Sequence, residues 1–291
     1  MASTTSRRRL LTIVACCLAL AGCADDPVLD RPAQPAVTVG SGNTTESRIV
    51  AQIYAGALAR SGTAVKADLS LGDRATYLRD LDATQVTLVP EISGALLDYL
   101  EPQASQRKPD DVYAALNRAL PQGLSVSDYA MAEWGPELVM RHEAAQRIGS
   151  IAHLAPKCAD TTVGTTAEKT GLQELSIVYG CTFGSVRIYA AEDLPDALRR
   201  GEVQAVILPP DSPALSDSGF GALSDDKYAL GANYVLPLFR TGSLDDAQIR
   251  ILNRVAGELT TADLRDLVEQ AQRADVRSAD VTRGWLDGHG F

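Results

Sequence analysis

An α/β fold large enough for two lobes is what this sequence predicts, and three observations carry the prediction. Short apolar runs alternate along the chain with longer stretches whose apolar residues recur at helical spacing. Several of those runs empty directly into glycine- or proline-containing turns followed by helix-start residues, the order expected of strand–turn–helix units. The chain has 291 residues and is 45% hydrophobic, enough to build two modest cores.

The elements follow in order. Val37 to Val39 is a short strand running into Gly40-Ser41-Gly42. Asn43 stands three residues before Glu46, a capping-box-like helix start. Ile49, Val50, Ile53, Tyr54, Ala57 and Leu58 then repeat at helical spacing, and Gly62 closes the helix. Ala64 to Leu69 reads as a strand, Leu71 to Leu81 as a helix, and Val86 to Val89 as a buried strand. That strand meets Pro90-Glu91-Ile92-Ser93-Gly94, with helices predicted from Ala95 to Tyr99 and from Asp110 to Leu120.

Glu137 to Arg141 is an extended run opening a middle segment. Strands are predicted at Thr162 to Gly164, Val186 to Ile188 and Val203 to Leu208, with a helix from Leu194 to Arg200 capped by Gly201. Tyr234 to Phe239 is extended, and helices run from Asp245 to the C-terminus, where Trp285 reads as a packing residue.

Composition removes several function classes. The formal net charge is −10 and the sequence pI about 4.8, whereas a general nucleic-acid binder needs a basic face against phosphate. His142, His153 and His289 are the only histidines, so neither a metal centre nor a histidine-based catalytic site is expected. No nucleophile elbow, zinc-protease motif, phosphate-binding loop or CxxC pair occurs. The reading is of a protein with no catalytic residues and no cofactor.

The N-terminus reads as an export signal. Arg7-Arg8-Arg9 precede an apolar stretch, Leu10 to Gly22, too short for a permanent membrane span of about 20 residues. The stretch ends Leu20-Ala21-Gly22-Cys23, which resembles a bacterial lipobox. Residues 1–22 are then a lipoprotein signal peptide, Cys23 carries diacylglycerol and palmitate, and residues 23–35 form a polar, proline-rich tether. The expected location is the outer face of the cytoplasmic membrane. Cys16 and Cys17 would leave with the signal, so Cys158 and Cys181 remain. Outside the cytoplasm their simplest state is a disulfide, with two buried free thiols as the alternative.

Several segments, taken in order, resemble the substrate-binding proteins of osmoprotectant (glycine betaine, choline, carnitine) ABC importers. They are Val39 to Glu46, Thr87 to Gly94, Ala197 to Val203, Leu223 to Lys227, Asn233 to Leu238 and Leu252 to Thr260. The resemblance implies a type II periplasmic-binding-protein fold, in which two α/β lobes joined by two crossover strands close on a ligand. Lobe I would comprise residues 36–132 plus 234–291, and lobe II residues 133–233. A small-molecule ligand, an ABC permease as partner and a monomeric state are expected with it.

In that family a cage of tyrosines holds a quaternary ammonium. Here the corresponding positions are Ser47, Ile92, Ala95, Pro136 with Trp134 nearby, and Leu208; only Tyr234 matches. The expected ligand is therefore a small polar or aromatic compound that need not be glycine betaine. The candidate ligand-binding residues are Tyr234, Trp134, Ser93, Glu91, Asn43, Thr44 and Ser47. A second reading is an envelope lipoprotein that uses the same fold as a sensor or interaction module without transport.

Overall fold

The first strand of the computed structural model, which describes residues 36–291 except 274, is β1 (Val37–Gly40). It is followed by α1 (Thr45–Arg60), β2 (Val65–Asp68), α2 (Arg74–Asp82), β3 (Leu88–Ile92), α3 (Ser93–Leu100), α4 (Pro109–Ala119) and β4 (Leu124–Val126). The middle of the chain forms β5 (Glu137–Arg141), α5 (His142–Ile148), α6 (Ile151–Leu154), β6 (Thr162–Thr165), α7 (Leu172–Tyr179), β7 (Ser185–Ile188), α8 (Leu194–Arg200), β8 (Ala205–Leu208) and β9 (Phe220–Ala222). The chain ends with β10 (Val235–Arg240), α9 (Asp246–Glu258), α10 (Thr261–Gln272) and α11 (Ser278–Gly288). The expected signal peptide, the lipidation site Cys23 and the tether lie outside the described residues.

Two five-stranded sheets result, ordered β2-β1-β3-β10-β4 and β7-β6-β8-β5-β9. In the first, β1 pairs in parallel with β2 and β3, while β10 runs antiparallel to β3 and β4. The second repeats the plan, with β6 parallel to β7 and β8, and β5 antiparallel to β8 and β9. This is the mixed α/β, two-lobed periplasmic-binding-protein architecture. Two antiparallel segments join the sheets: Ala130 N donates to Val235 O, Val235 N to Ala132 O, and Trp134 N to Asn233 O. Each crossing delivers the antiparallel strand of the lobe it enters, β5 on the way out and β10 on the way back.

Both sheets are covered on both faces, which explains their apolar strands. Along β10, Val235 and Phe239 join the core packed by α1, α9, α10 and α11, whereas Leu236 and Leu238 turn toward α3 and α4. In the second sheet Leu138, Val163 and Ile207 face one core and Val139, Val206 and Leu208 the other. The period-2 alternation of a strand distributes its side chains in this way. Helix α1 buries Ile49, Val50, Ile53, Tyr54, Ala57 and Leu58, the stripe its spacing predicts. Trp285 is likewise buried in the first core.

Some expectations shift. Thr44, not Asn43, is the N-cap of α1, and no side-chain cap bond forms there. Helix α2 starts at Arg74 because Asp73 caps it, accepting from Thr76 N. The strand expected at Val86 to Val89 runs instead from Leu88 to Ile92, the span that β10 pairs. Elements β4, α5, α6, α7 and β9 lack a clear periodic signal and are held by partners: β4 by β10 and β9 by β5. Cys158 and Cys181 are joined as a disulfide, with Cα atoms 5.3 Å apart.

Candidate functional site

In a parallel sheet, neighbouring strands deliver their carboxyl ends and the loops that follow to one edge, where α/β proteins hold small ligands. The loops after β1 and β2 and the end of β3 meet there with the N-termini of α1 and α2. Between them lies a cavity of about 380 Å³. Its walls combine Val50, Pro90, Ile92 and Val235 with the polar residues Asn43, Thr44, Glu46, Ser47, Asp73, Arg74 and Glu91. Mixed apolar walls with a few convergent polar groups are the usual composition of a small-molecule site.

The carboxylate of Glu91 is almost fully engaged. It receives Arg74 Nε at 2.7 Å, Arg74 Nη2 at 2.9 Å and Tyr77 OH at 2.5 Å, and its own neighbour Ile92 N at 3.0 Å. With the Glu91 side chain 2% exposed, this pair and its added hydrogen bonds satisfy a buried charge that would otherwise be very costly. Burial, and then the adjacent Glu91 charge, push the Tyr77 phenol well above its ordinary range, so it stays protonated and donates. Glu91 is thus a structural keystone of the cavity floor as well as a lining residue.

Glu46 is in a different state. It sits in the first turn of α1 and is half-buried, and it makes no ion pair among the described residues. Burial raises its pKa most; the Thr44 hydroxyl, its own amide and the charge of Arg48 offset part of the rise, and the charge of Asp211 adds to it. The nearby Arg48 donates to the Asn43 carbonyl and the Thr45 hydroxyl, both at 3.1 Å, and its charge still acts on Glu46. Ser47 Oγ accepts from Gly42 N at 2.8 Å, fixing the loop after β1. Asp73 faces the same cavity but caps α2, and its hydrogen bonds to Thr76 hold its carboxyl below the usual carboxylate range.

The cavity therefore brings together four of the seven sequence-nominated residues: Asn43, Thr44, Ser47 and Glu91. The other three lie elsewhere. Ser93 Oγ donates to Ala232 O at 2.8 Å and accepts from Tyr234 N at 3.0 Å, clasping the end of β3 to the returning crossover. Beside it, a Cβ on Gly94 would stand 3.0 Å from the Ala232 carbonyl oxygen. Trp134 is buried in the core of the first lobe. Tyr234 packs against Tyr129 with ring centroids 5.3 Å apart, and Tyr129 in turn against Tyr113 at 5.5 Å. The single matched tyrosine is part of a packed aromatic row on the α4 side of the first sheet.

Sequence reasoning missed Glu46, Asp73, Arg74 and Tyr77 as cavity residues. Glu46 was visible only as a capping residue. Arg74 and Tyr77 are spaced i, i+3, a spacing that puts both on one face of α2, but nothing local says that the face meets Glu91. A second cavity of about 360 Å³ spans the two lobes, lined by Asp98 and Arg107 on one side, Lys169 and Glu174 on the other, and Asn233 of the crossover. None of the seven nominated residues lines it. Among the described residues no group of three or more His, Cys, Asp or Glu could hold a metal ion.

A family model described as the substrate binding domain of ABC-type glycine betaine transport system matches residues 35–288. No curated protein matches the sequence. Among solved structures, a glycine betaine/carnitine/choline ABC transporter protein superimposes with a TM-score of 0.77 at 16% identity, covering 87% of this chain and 98% of that one. Apo YehZ from Escherichia coli gives 0.74 at 16% identity over 88% and 99%. The closed, glycine betaine-bound lactococcal OpuAC gives 0.55 at 11% identity over 88% and 96%. At these identities the likeness is one of fold.

Proposed function

Because this chain belongs to the family of substrate-binding domains of ABC-type glycine betaine transport systems, we propose that it is a lipid-anchored, extracytoplasmic solute-binding protein that delivers a small polar compound to an ABC permease. The observation that carries this reading is the cavity of about 380 Å³ at the carboxyl ends of β1 and β3. In the reading, Asn43, Thr44, Ser47 and Glu91 belong to the ligand site, joined by Glu46 and Arg74. Ser93, Trp134 and Tyr234 frame the hinge and the core around it. Lobe I, residues 36–132 and 234–291, and lobe II, residues 133–233, close over the ligand by a shift in population toward the closed form.

The anchor is Cys23, and the polar tether gives the folded body reach from the outer face of the cytoplasmic membrane. The family's tyrosine cage is not supplied at the cavity, whose one aromatic wall is Tyr77. Glycine betaine is therefore not the preferred guest.

The test is a survey of betaine, choline, carnitine, sugars, simple amines and phenolic compounds. It combines thermal melting with small-angle X-ray scattering on the protein lacking residues 1–23. A true guest raises the melting temperature and shrinks the radius of gyration as the lobes close. A survey in which no compound does either would overturn the solute-binding reading.

A further inference from the structure

Where the two crossovers leave the first lobe, the ladder between them ends on one rung, Trp134 N donating to Asn233 O at 2.7 Å. On the first-lobe side of that rung the returning segment is riveted in place. Ser93 N donates to Tyr234 O at 2.9 Å, and the Ser93 hydroxyl holds both Ala232 O and Tyr234 N. On the second-lobe side each crossover carries a glycine. Gly135 directly follows Trp134, and Gly231, with φ +91°, is the first residue outside the Ser93 clasp. Hinges turn at a few such element-terminal positions, often small residues, that absorb changes in φ and ψ.

The Asn233 side chain fills the space between these glycines. Its Nδ2 donates to Leu230 O at 3.1 Å, tying the carboxamide to the turn on the second-lobe side. A Cβ on Gly135 would stand 2.7 Å from Nδ2 and 3.2 Å from the Asn233 Cβ. One on Gly231 would stand 2.9 Å from Nδ2, and one on Gly94, at the start of α3, 2.7 Å from Oδ1. All of these lie inside the contact optimum of about 3.5–4.0 Å, so the carboxamide fits only because three side chains are missing around it. The same residue lines the cavity of about 360 Å³ that spans the two lobes. Asn233 thus touches the first lobe, both crossovers and the gap that closure would change.

Resting on the lobe closure of the solute-binding reading above, we infer that the lobes turn at Gly135 and Gly231, and that the Asn233 carboxamide wedged between them is the spacer that sets their resting angle. Rotation at either glycine moves the backbone against the carboxamide, and contacts this tight cannot shorten. The wedge therefore stops rotation in one direction, while the Nδ2 bond to Leu230 O resists the other. Close-packed groups deform little, so the empty protein holds a narrow range of lobe angles. A side chain at Gly135 would compete with the carboxamide for one place, and removal of the carboxamide would free the hinge.

The experiment is double electron–electron resonance on the ligand-free protein lacking residues 1–23, which removes every cysteine outside the Cys158–Cys181 bond. Nitroxides at two exposed positions, Arg118→Cys of α4 and Gln146→Cys of α5, read the distance between the lobes. The parent should give one narrow distribution. Gly135→Ala is expected to displace its mean by about 2 Å or more, and Asn233→Ala to broaden it. In the double variant the new methyl takes the vacated place, so mean and width return toward the parent. Gly257→Ala in α9, where a Cβ meets nothing within 4 Å, should leave the distribution as it is. Either hinge variant with the parent's distribution would overturn the inference, as would a double variant no nearer the parent than the single ones, or a shift in Gly257→Ala. Should Gly135→Ala not fold, as judged by far-UV circular dichroism, Asn233→Ala alone decides. Because no ligand is present, failure here leaves the compound survey and the reading it tests untouched.

Discussion

Three glutamates show how one residue type takes opposite roles by environment. Glu91 is buried but fully paired, Glu133 is half-buried near the crossover, where burial and then Asp225 raise its pKa against the pull of Arg265, and Glu46 is half-buried with no ion pair among the described residues, though the charge of Arg48 acts on it. For Glu46 the native carboxyl holds its proton more tightly than a free glutamate at 4.5. Stability from this group is therefore greatest below pH 4.5 and declines as pH climbs through the raised native value. Glu46→Gln removes the decline. The variant is expected to melt above the parent at about pH 7.5 and level with it near pH 4, on a scale of about 2–4 °C for each kcal/mol relieved. Calorimetric melts across that range check it, and a variant melting lower at every pH would contradict the unpaired, desolvated carboxylate.

At the scale of elements, local chemistry decides the ends and tertiary pairing decides the existence of short pieces. Helix α9 opens with a reciprocal capping box between Asp245 and Gln248, and α10 with one between Thr260 and Asp263. These are local, legible devices. The turn at Ala155–Asp160 and the end of α7 are held differently, by the Cys158–Cys181 bond across 23 residues. Both cysteines are buried in the second core. Cys181→Ser is expected to cost about 3 kcal/mol in denaturant unfolding of the oxidised protein. The loss should be matched by reduction of the parent, since the same loop is released in both cases. A variant as stable as the oxidised parent would show that the core alone holds α7 in place.

The molecule as a whole depends on how the crossovers are fastened. The outgoing segment is stitched to the α9–α10 turn, with Met131 N donating to Ala256 O and Glu133 N to Thr261 Oγ1. Arg265 on α10 reaches across to pair with Glu137 at the start of β5. Glu133 acts on the same guanidinium, whose pKa desolvation lowers. One cation thus serves two acids where the first lobe meets the second sheet. Arg265→Leu keeps the bulk but strands both carboxylates, a change of about 3 kcal/mol for a buried pair and less here, where each side chain is about a quarter exposed. Because the stranded groups are acids, the loss should be large at neutral pH and fade as acid protonates them. Urea unfolding at pH 7 and pH 4 reads this, and an equal loss at both values would exclude the charge explanation.

Much of the fold was legible in the sequence because its signals are local. The helical stripe of α1, the glycine after α8, the helical run from Asp245 and the run Glu137 to Arg141 each declare an element within a few residues. The ordered family segments pointed to two lobes. The candidate site was legible in part: Asn43, Thr44, Ser47 and Glu91 stand at strand ends that a parallel sheet must bring to one edge. Tertiary structure alone decided what faces what. It set Arg74 and Tyr77 against Glu91, turned Tyr234 into the packed row with Tyr129, and made Ser93 a clasp on Ala232. Sequence spacing fixes which residues share a helix face or a strand end. Which charge lies within reach of which other charge depends on residues tens to hundreds of positions apart, and only the folded chain brings those together.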